Sequence, residues 1–177
     1  MALIVEDGTL VASANSYVSL ADASAYFTLY GEPAEWEEGY ILLQEEALRV
    51  GTQYIDAFYA GRWEGSKRTS TQARSWPRDG VHDDSDFIIS SDTIPQKLKD
   101  ATCESALEHI KRKATGGLLP TLENSGSIRS ESFSIGGAIT ETTEYVEPKG
   151  QLIKLPIVDG LVRDYIGSGS AVSMWRA

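Results

Sequence analysis

Two stretches of this chain repeat apolar residues at the spacing of an α-helix, and they limit what it can fold into. In one, Leu43, Ala47, Val50, Tyr54, Ile55 and Phe58 line one stripe of a helix running from about Glu38 to Tyr59, closed by Gly61. In the other, Leu98, Ala101, Thr102, Ser105, Ala106, His109 and Ile110 form a stripe behind Pro95, a residue suited to a first helical turn. Lys111-Arg112-Lys113 then sits where cations oppose the helix dipole, and Gly116-Gly117 stops the run. Helices with one apolar side must bury it, which predicts a helical bundle.

Two shorter helices complete the set. Ser19 is a good N-cap for a first helix carrying Leu20, Ala23, Tyr26, Phe27 and Tyr30, ended by Gly31. A last helix spans about Pro156 to Ile166, with Ile157, Leu161, Val162 and Tyr165 facing inward. The first fifteen residues read as an extended arm, and residues 32–36 as a connector or short helical turn. Residues 62–75 are polar and read as a surface loop. Beyond it, Pro77 drives Trp76 into an extended conformation, and Trp76 is the expected buried anchor.

From 118 to 150 the texture changes. Ile128 to Ile135 and Ile139 to Val146 are strand-like and joined by Gly136-Gly137, a hairpin signal placing the hairpin at about 127–146. These strands are too polar to form a core alone, so Ile128, Phe133, Ile135, Ile139 and Tyr145 are candidate contacts to the helices or to a neighbouring subunit. Gly167-Ser168-Gly169-Ser170 reads as a flexible linker. The segment beyond it holds Val172, Met174, Trp175 and Arg176, and a large aromatic there suggests a docking tail. The expected fold is mainly α: one domain over 1–166, a bundle of about four helices with an inserted β-hairpin, and an extended C-terminal arm over 167–177.

Composition narrows the function. At 177 residues the chain can bury a core without a metal or disulfide staple, and its single cysteine, Cys103, rules out an internal disulfide. No apolar run approaches the roughly 20 residues that span a bilayer, and the opening lacks the basic and apolar regions of a signal peptide, so no membrane partner is expected. The formal net charge is −10, opposite to the basic footprint of a free nucleic-acid binder. Such a charge serves solubility, or a channel that DNA must slide past without sticking.

Chemistry-bearing patterns are sparse. His82-Asp83-Asp84 with Asp86 lacks the alternating ligand positions of a calcium loop and reads as a solvated acidic loop. His109 and Cys103 lie six residues apart on one helix and point to different faces, which argues against a nucleophilic pair. No Gly-x-Ser-x-Gly elbow or phosphate loop is present. No catalytic residue, metal or cofactor is therefore expected. The stretch Arg62-Trp63-Glu64-Gly65-Ser66-Lys67-Arg68, with Arg74 and Trp76, mixes cations and aromatics as single-stranded nucleic-acid sites do. Glu64 interrupts it, and a subunit interface through Arg62, Lys67 and Arg68 is the favoured reading.

Several blocks resemble a group of phage morphogenesis proteins. They are Met1-Ala2-Leu3-Ile4-Val5-Glu6-Asp7-Gly8, Asn15-Ser16-Tyr17-Val18-Ser19, residues 52–56, residues 72–81 around Trp76-Pro77-Arg78, Ile94-Pro95, and Pro156 with Val158-Asp159. The resemblance is to the tailed-bacteriophage head-tail connector (adaptor) proteins, overlapping the family labelled DnaT-like single-stranded-DNA-binding proteins. It implies a homo-oligomeric ring of twelve subunits in the virion neck, assembled in the host cytoplasm. It also implies a C-terminal segment docked into a portal protein, a downstream tail or neck protein as second partner, and double-stranded DNA passing through without specific binding. It brings no catalytic residues. The alternative is a single-stranded-DNA-binding protein of phage replication.

Overall fold

The computed structural model describes residues 2–119, 128–132, 142–145 and 152–167. Among the described residues five α-helices appear in chain order: α1 (Leu20–Tyr30), α2 (Ala34–Glu37), α3 (Ile41–Phe58), α4 (Gln96–Lys111) and α5 (Pro156–Val162). Two short antiparallel strand pairs accompany them: β1 (Ser66–Lys67) with β2 (Arg78–Asp79), and β3 (Ile128–Ser132) with β4 (Thr142–Tyr145). The fold is mainly helical with a small two-stranded hairpin, as the apolar stripes and the strand-like 128–146 stretch predict.

Local chemistry sets the helix ends. The Ser19 hydroxyl accepts from the Asp22 amide to cap α1, and Gly31 closes the helix at φ 115°. Pro156 occupies the first turn of α5, where its missing N–H is not needed. Pro95 caps α4 from outside rather than starting it. The α3 helix begins three residues later than the stripe suggests, because Tyr40 is extended (φ −68°, ψ 153°) and serves as the cap.

The core lies where α3 packs along α4, with α1, α2 and α5 closing around α4. Gly51 permits that approach. A β-carbon there would stand 2.9 Å from the Ala106 nitrogen and 3.0 Å from the Thr102 oxygen, both main-chain atoms. The α3 stripe is wider than the sequence pattern shows, since Leu48, Gly51 and Thr52 are buried beside Ala47, Tyr54 and Ile55. On α4 the expected stripe is buried except for Ile110, which is half-buried, and Cys103 and Leu107 join it. The α5 stripe holds at Val162 and Tyr165, with Leu161 half-buried, and differs at its start. Val158, Val162 and Tyr165 are buried, whereas Ile157 is exposed, because a seven-residue helix is too short for periodicity to fix its inner face.

The N-terminal arm is tied down by main-chain bonds. Val5 bridges to Ser16, and the Asn15 side chain accepts from the Ile4 amide at 2.8 Å. Glu6 is fully buried, its carboxylate accepting from the Gly8 and Leu10 amides at 3.0 Å each. Tyr17 links three parts of the fold: its hydroxyl donates to Asp56 on α3 at 2.5 Å and accepts from the Trp76 amide at 3.2 Å.

His109 fastens the chain after α4. Its Nδ1 accepts from the Leu118 amide at 3.2 Å, and its Nε2 stands 3.6 Å from Glu46, which also binds Lys113. Burial lowers the His109 pKa from its ordinary 6.5. The folded state then binds fewer protons than the unfolded chain, so stability is lost as pH falls through about 6.5 toward the lower folded value. The Lys113 contact holds Glu46 below its usual 4.5, so its own contribution is lost only in a more acidic range. Melting curves between pH 8 and 5 should show a falling midpoint that flattens in His109→Gln. An equal fall in both proteins would reject His109 as the cause.

Candidate functional site

The basic and aromatic segment 62–81 folds inward. Trp76 has no exposed surface and Trp63 is 8% exposed, their rings edge-to-face at 5.8 Å, with Tyr165 against Trp76 at 5.5 Å. Pro77 is buried beside them, and the Trp76–Pro77 peptide is cis. Main-chain pairing of β1 with β2 and a bridge between Trp63 and Ile166 hold the segment against the end of α5.

Most of its cations are used by the fold. The buried Arg78 guanidinium donates to the carbonyls of Glu64, Gly65 and Ser75 at 2.7, 2.8 and 3.2 Å, and its burial lowers its pKa. Arg74 donates to the Ala14 carbonyl at 2.8 Å and stands 3.5 Å from Asp56. Arg68 reaches the Gly8 carbonyl at 3.2 Å. Arg62 lies over the Phe58 and Tyr59 rings at 4.8 and 4.6 Å and donates to the Phe58 carbonyl. Lys67, exposed on β1, has no such partner among the described residues.

Arg62, Lys67 and Arg68 therefore do not form one patch. Arg68 turns toward the N-terminal arm, whereas Arg62 shares a groove of about 440 Å³ with Arg163, Asp159, Ile166 and Gly167. Arg163 is exposed and has no ion-pair partner among the described residues. Neither Arg163 nor its groove is marked by sequence spacing, since it joins residues about a hundred positions apart.

At the other end of α3 a second surface escapes the sequence reading. Tyr40, Ile41 and Leu42 are 64%, 61% and 70% exposed, three consecutive apolar residues facing water. Glu35, Glu37 and Glu38 stand beside them in sequence, exposed and without an ion pair among the described residues. Leu29, Tyr30, Phe87 and Ile88 are further exposed apolar residues; Tyr30 lies outside the buried side of α1.

Ile128 and Tyr145 pair across the β3–β4 ladder. Phe133, Ile135, Ile139 and the Gly136-Gly137 turn lie outside the described residues, as do Val172, Met174, Trp175 and Arg176. The loop around Asp83 is closed on itself, its carboxylate accepting from the Ser85 and Phe87 amides at 2.9 Å each. Among the described residues no group of three or more His, Cys, Asp or Glu is placed to hold a metal ion, and no helix is long and apolar enough to cross a membrane.

What these features define is a small helical protein in which Trp36, Trp63 and Trp76 are buried and exposed apolar residues border carboxylates. Across its whole length, residues 1–177, the sequence matches the family described as "Putative DnaT-like ssDNA binding protein", and the chain belongs to that family. No curated protein and no solved structure matches it.

Proposed function

We propose that this chain is a structural subunit that works through protein contacts, a head-to-tail connector (adaptor) of a tailed bacteriophage assembled as a ring on a portal. The observation that favours protein contacts over single-stranded-DNA contacts is the fate of segment 62–81. Its tryptophans are inside the core, and Arg74 and Arg78 are spent on main-chain carbonyls and Asp56. A surface with net charge −10 repels phosphates and suits a wall past which DNA slides. The connector part rests on the resemblance of the opening and Trp76-Pro77-Arg78 blocks to phage morphogenesis proteins. Ring number and the portal, tail and virion assignments are parts of this proposal. Mixing the purified chain with portal and imaging by electron microscopy should show rings seated on the portal. Portal particles left bare at saturating protein would reject the connector.

The second reading is single-stranded-DNA binding, and the family description speaks for it more than for a connector. On that reading the unpaired Lys67 and the half-engaged Arg62 and Arg68 would carry phosphate contacts. Among the described residues, Tyr30, Tyr40 and Phe87 are the aromatics more than 60% exposed and so open to base stacking.

A further inference from the structure

We propose that the two ends of α3 are the two halves of one head-to-tail interface between copies of this chain. The apolar step Tyr40-Ile41-Leu42 with Glu37 and Glu38 on one copy would seat in the Arg62–Arg163 groove of the next. The proposal deepens the ring reading and rests on it.

Three consecutive large apolar side chains, each more than 60% exposed, favour removal from water. Their flank is acidic and unpaired, so a matching surface must offer an apolar floor and positive charge. The chain itself carries such a surface. Ile166 and Gly167 contribute to the groove, and Arg62 and Arg163 supply two exposed guanidinium groups, while Asp159 is already engaged by Lys154 at 2.8 Å and by Tyr59.

Position makes the contact one between unlike surfaces, which closes as a reciprocal pair of copies or, repeated head to tail, as a ring. The apolar step is the first turn of α3, and Arg62 follows its last turn. An 18-residue helix places the two surfaces about 27 Å apart. One copy therefore cannot satisfy both halves with itself. A rigid helix core packed on α4 fixes their relative direction, and repeating one heterologous contact generates a ring when the rotation closes. The pairing of a carboxylate-flanked apolar step with an arginine groove also selects orientation, because like ends repel.

Reciprocal charge reversal tests this. One variant carries Glu37→Arg with Glu38→Arg, the other Arg62→Glu with Arg163→Glu; all four side chains are exposed. Circular dichroism melts establish that each is folded, and sedimentation velocity at low salt reads association. The parent chain should associate, and each variant alone should sediment as a monomer, because its two ends now carry the same sign. An equimolar mixture should associate again, since each variant's groove meets a face of opposite charge on the other. Leu42→Ser should weaken the parent's association without altering its melt. Variants that associate alone as the parent does would overturn the face assignment and leave the ring reading standing. A mixture that stays monomeric would also overturn it. A monomeric parent would overturn it too, whether residues 168–177 of the same chain or nothing fills the groove; the ring reading would then be judged by the portal images alone.

Discussion

Trp76→Ala should lower the free energy of unfolding by about 3–5 kcal/mol, the range for removing a large buried aromatic. Trp76 is fully buried, and its ring contacts Trp63 and Tyr165 edge-on, so it joins the end of α5 to the 62–81 segment. Its main-chain amide also donates to Tyr17, whose hydroxyl binds Asp56. Removing the ring leaves a cavity lined by aromatic edges that cannot collapse without moving two separate elements. Domains of this kind have roughly 5–15 kcal/mol in total, so the loss is a large fraction of stability. Urea unfolding followed by tryptophan-independent circular dichroism measures it. A loss below about 1 kcal/mol would show that the site repacks freely.

Gly51→Leu should be the other severe change, with a net loss of at least about 2 kcal/mol from overpacking. Leucine is a better helix former than glycine by up to about 1 kcal/mol, so propensity alone predicts stabilisation. The α4 backbone decides the sign. Added atoms would press on main-chain groups of Thr102 and Ala106 at 2.9–3.0 Å, and backbone cannot rotate away as a flexible side chain can. The helices must separate, exposing Leu48 and Leu98. Denaturant unfolding gives the outcome, and a variant as stable as the parent would mean that α3 and α4 do not approach so closely.

The contrast between these two positions shows what the sequence could reveal. Trp76 beside Pro77 stands out as an anchor because a large aromatic in a polar stretch has few other uses. Gly51 does not stand out, because its role depends on a second helix fifty residues away. Helix existence was legible from period and caps: Ser19, Gly31 and Pro156 act where their chemistry predicts. The inner face of α5 was legible at Val162 but not at its start, since Ile157 and Val158 differ by one position in a helix of two turns. Arg74 read as a surface-loop cation, and only tertiary proximity to the Ala14 carbonyl turns it inward, as the Glu64 and Gly65 carbonyls hold Arg78. The exposed Tyr40-Ile41-Leu42 step was hidden because a helix started at Glu38 would carry it as an ordinary part of the first turn. Glu6 was hidden for a related reason: its burial depends on the amides of Gly8 and Leu10 curling back over its carboxylate.

As a connector, the chain acts through protein surfaces and not through phosphate contacts. Titration of a fluorescent single-stranded oligonucleotide with the full chain, read by anisotropy across a salt series, tests it most directly. No saturable binding is expected at physiological salt, and no more than a weak signal at low salt that is unchanged by combined Arg62→Ala, Lys67→Ala and Arg68→Ala substitution. Saturable binding whose affinity falls steeply with salt, and which those three substitutions abolish, would contradict it and establish the single-stranded-DNA reading.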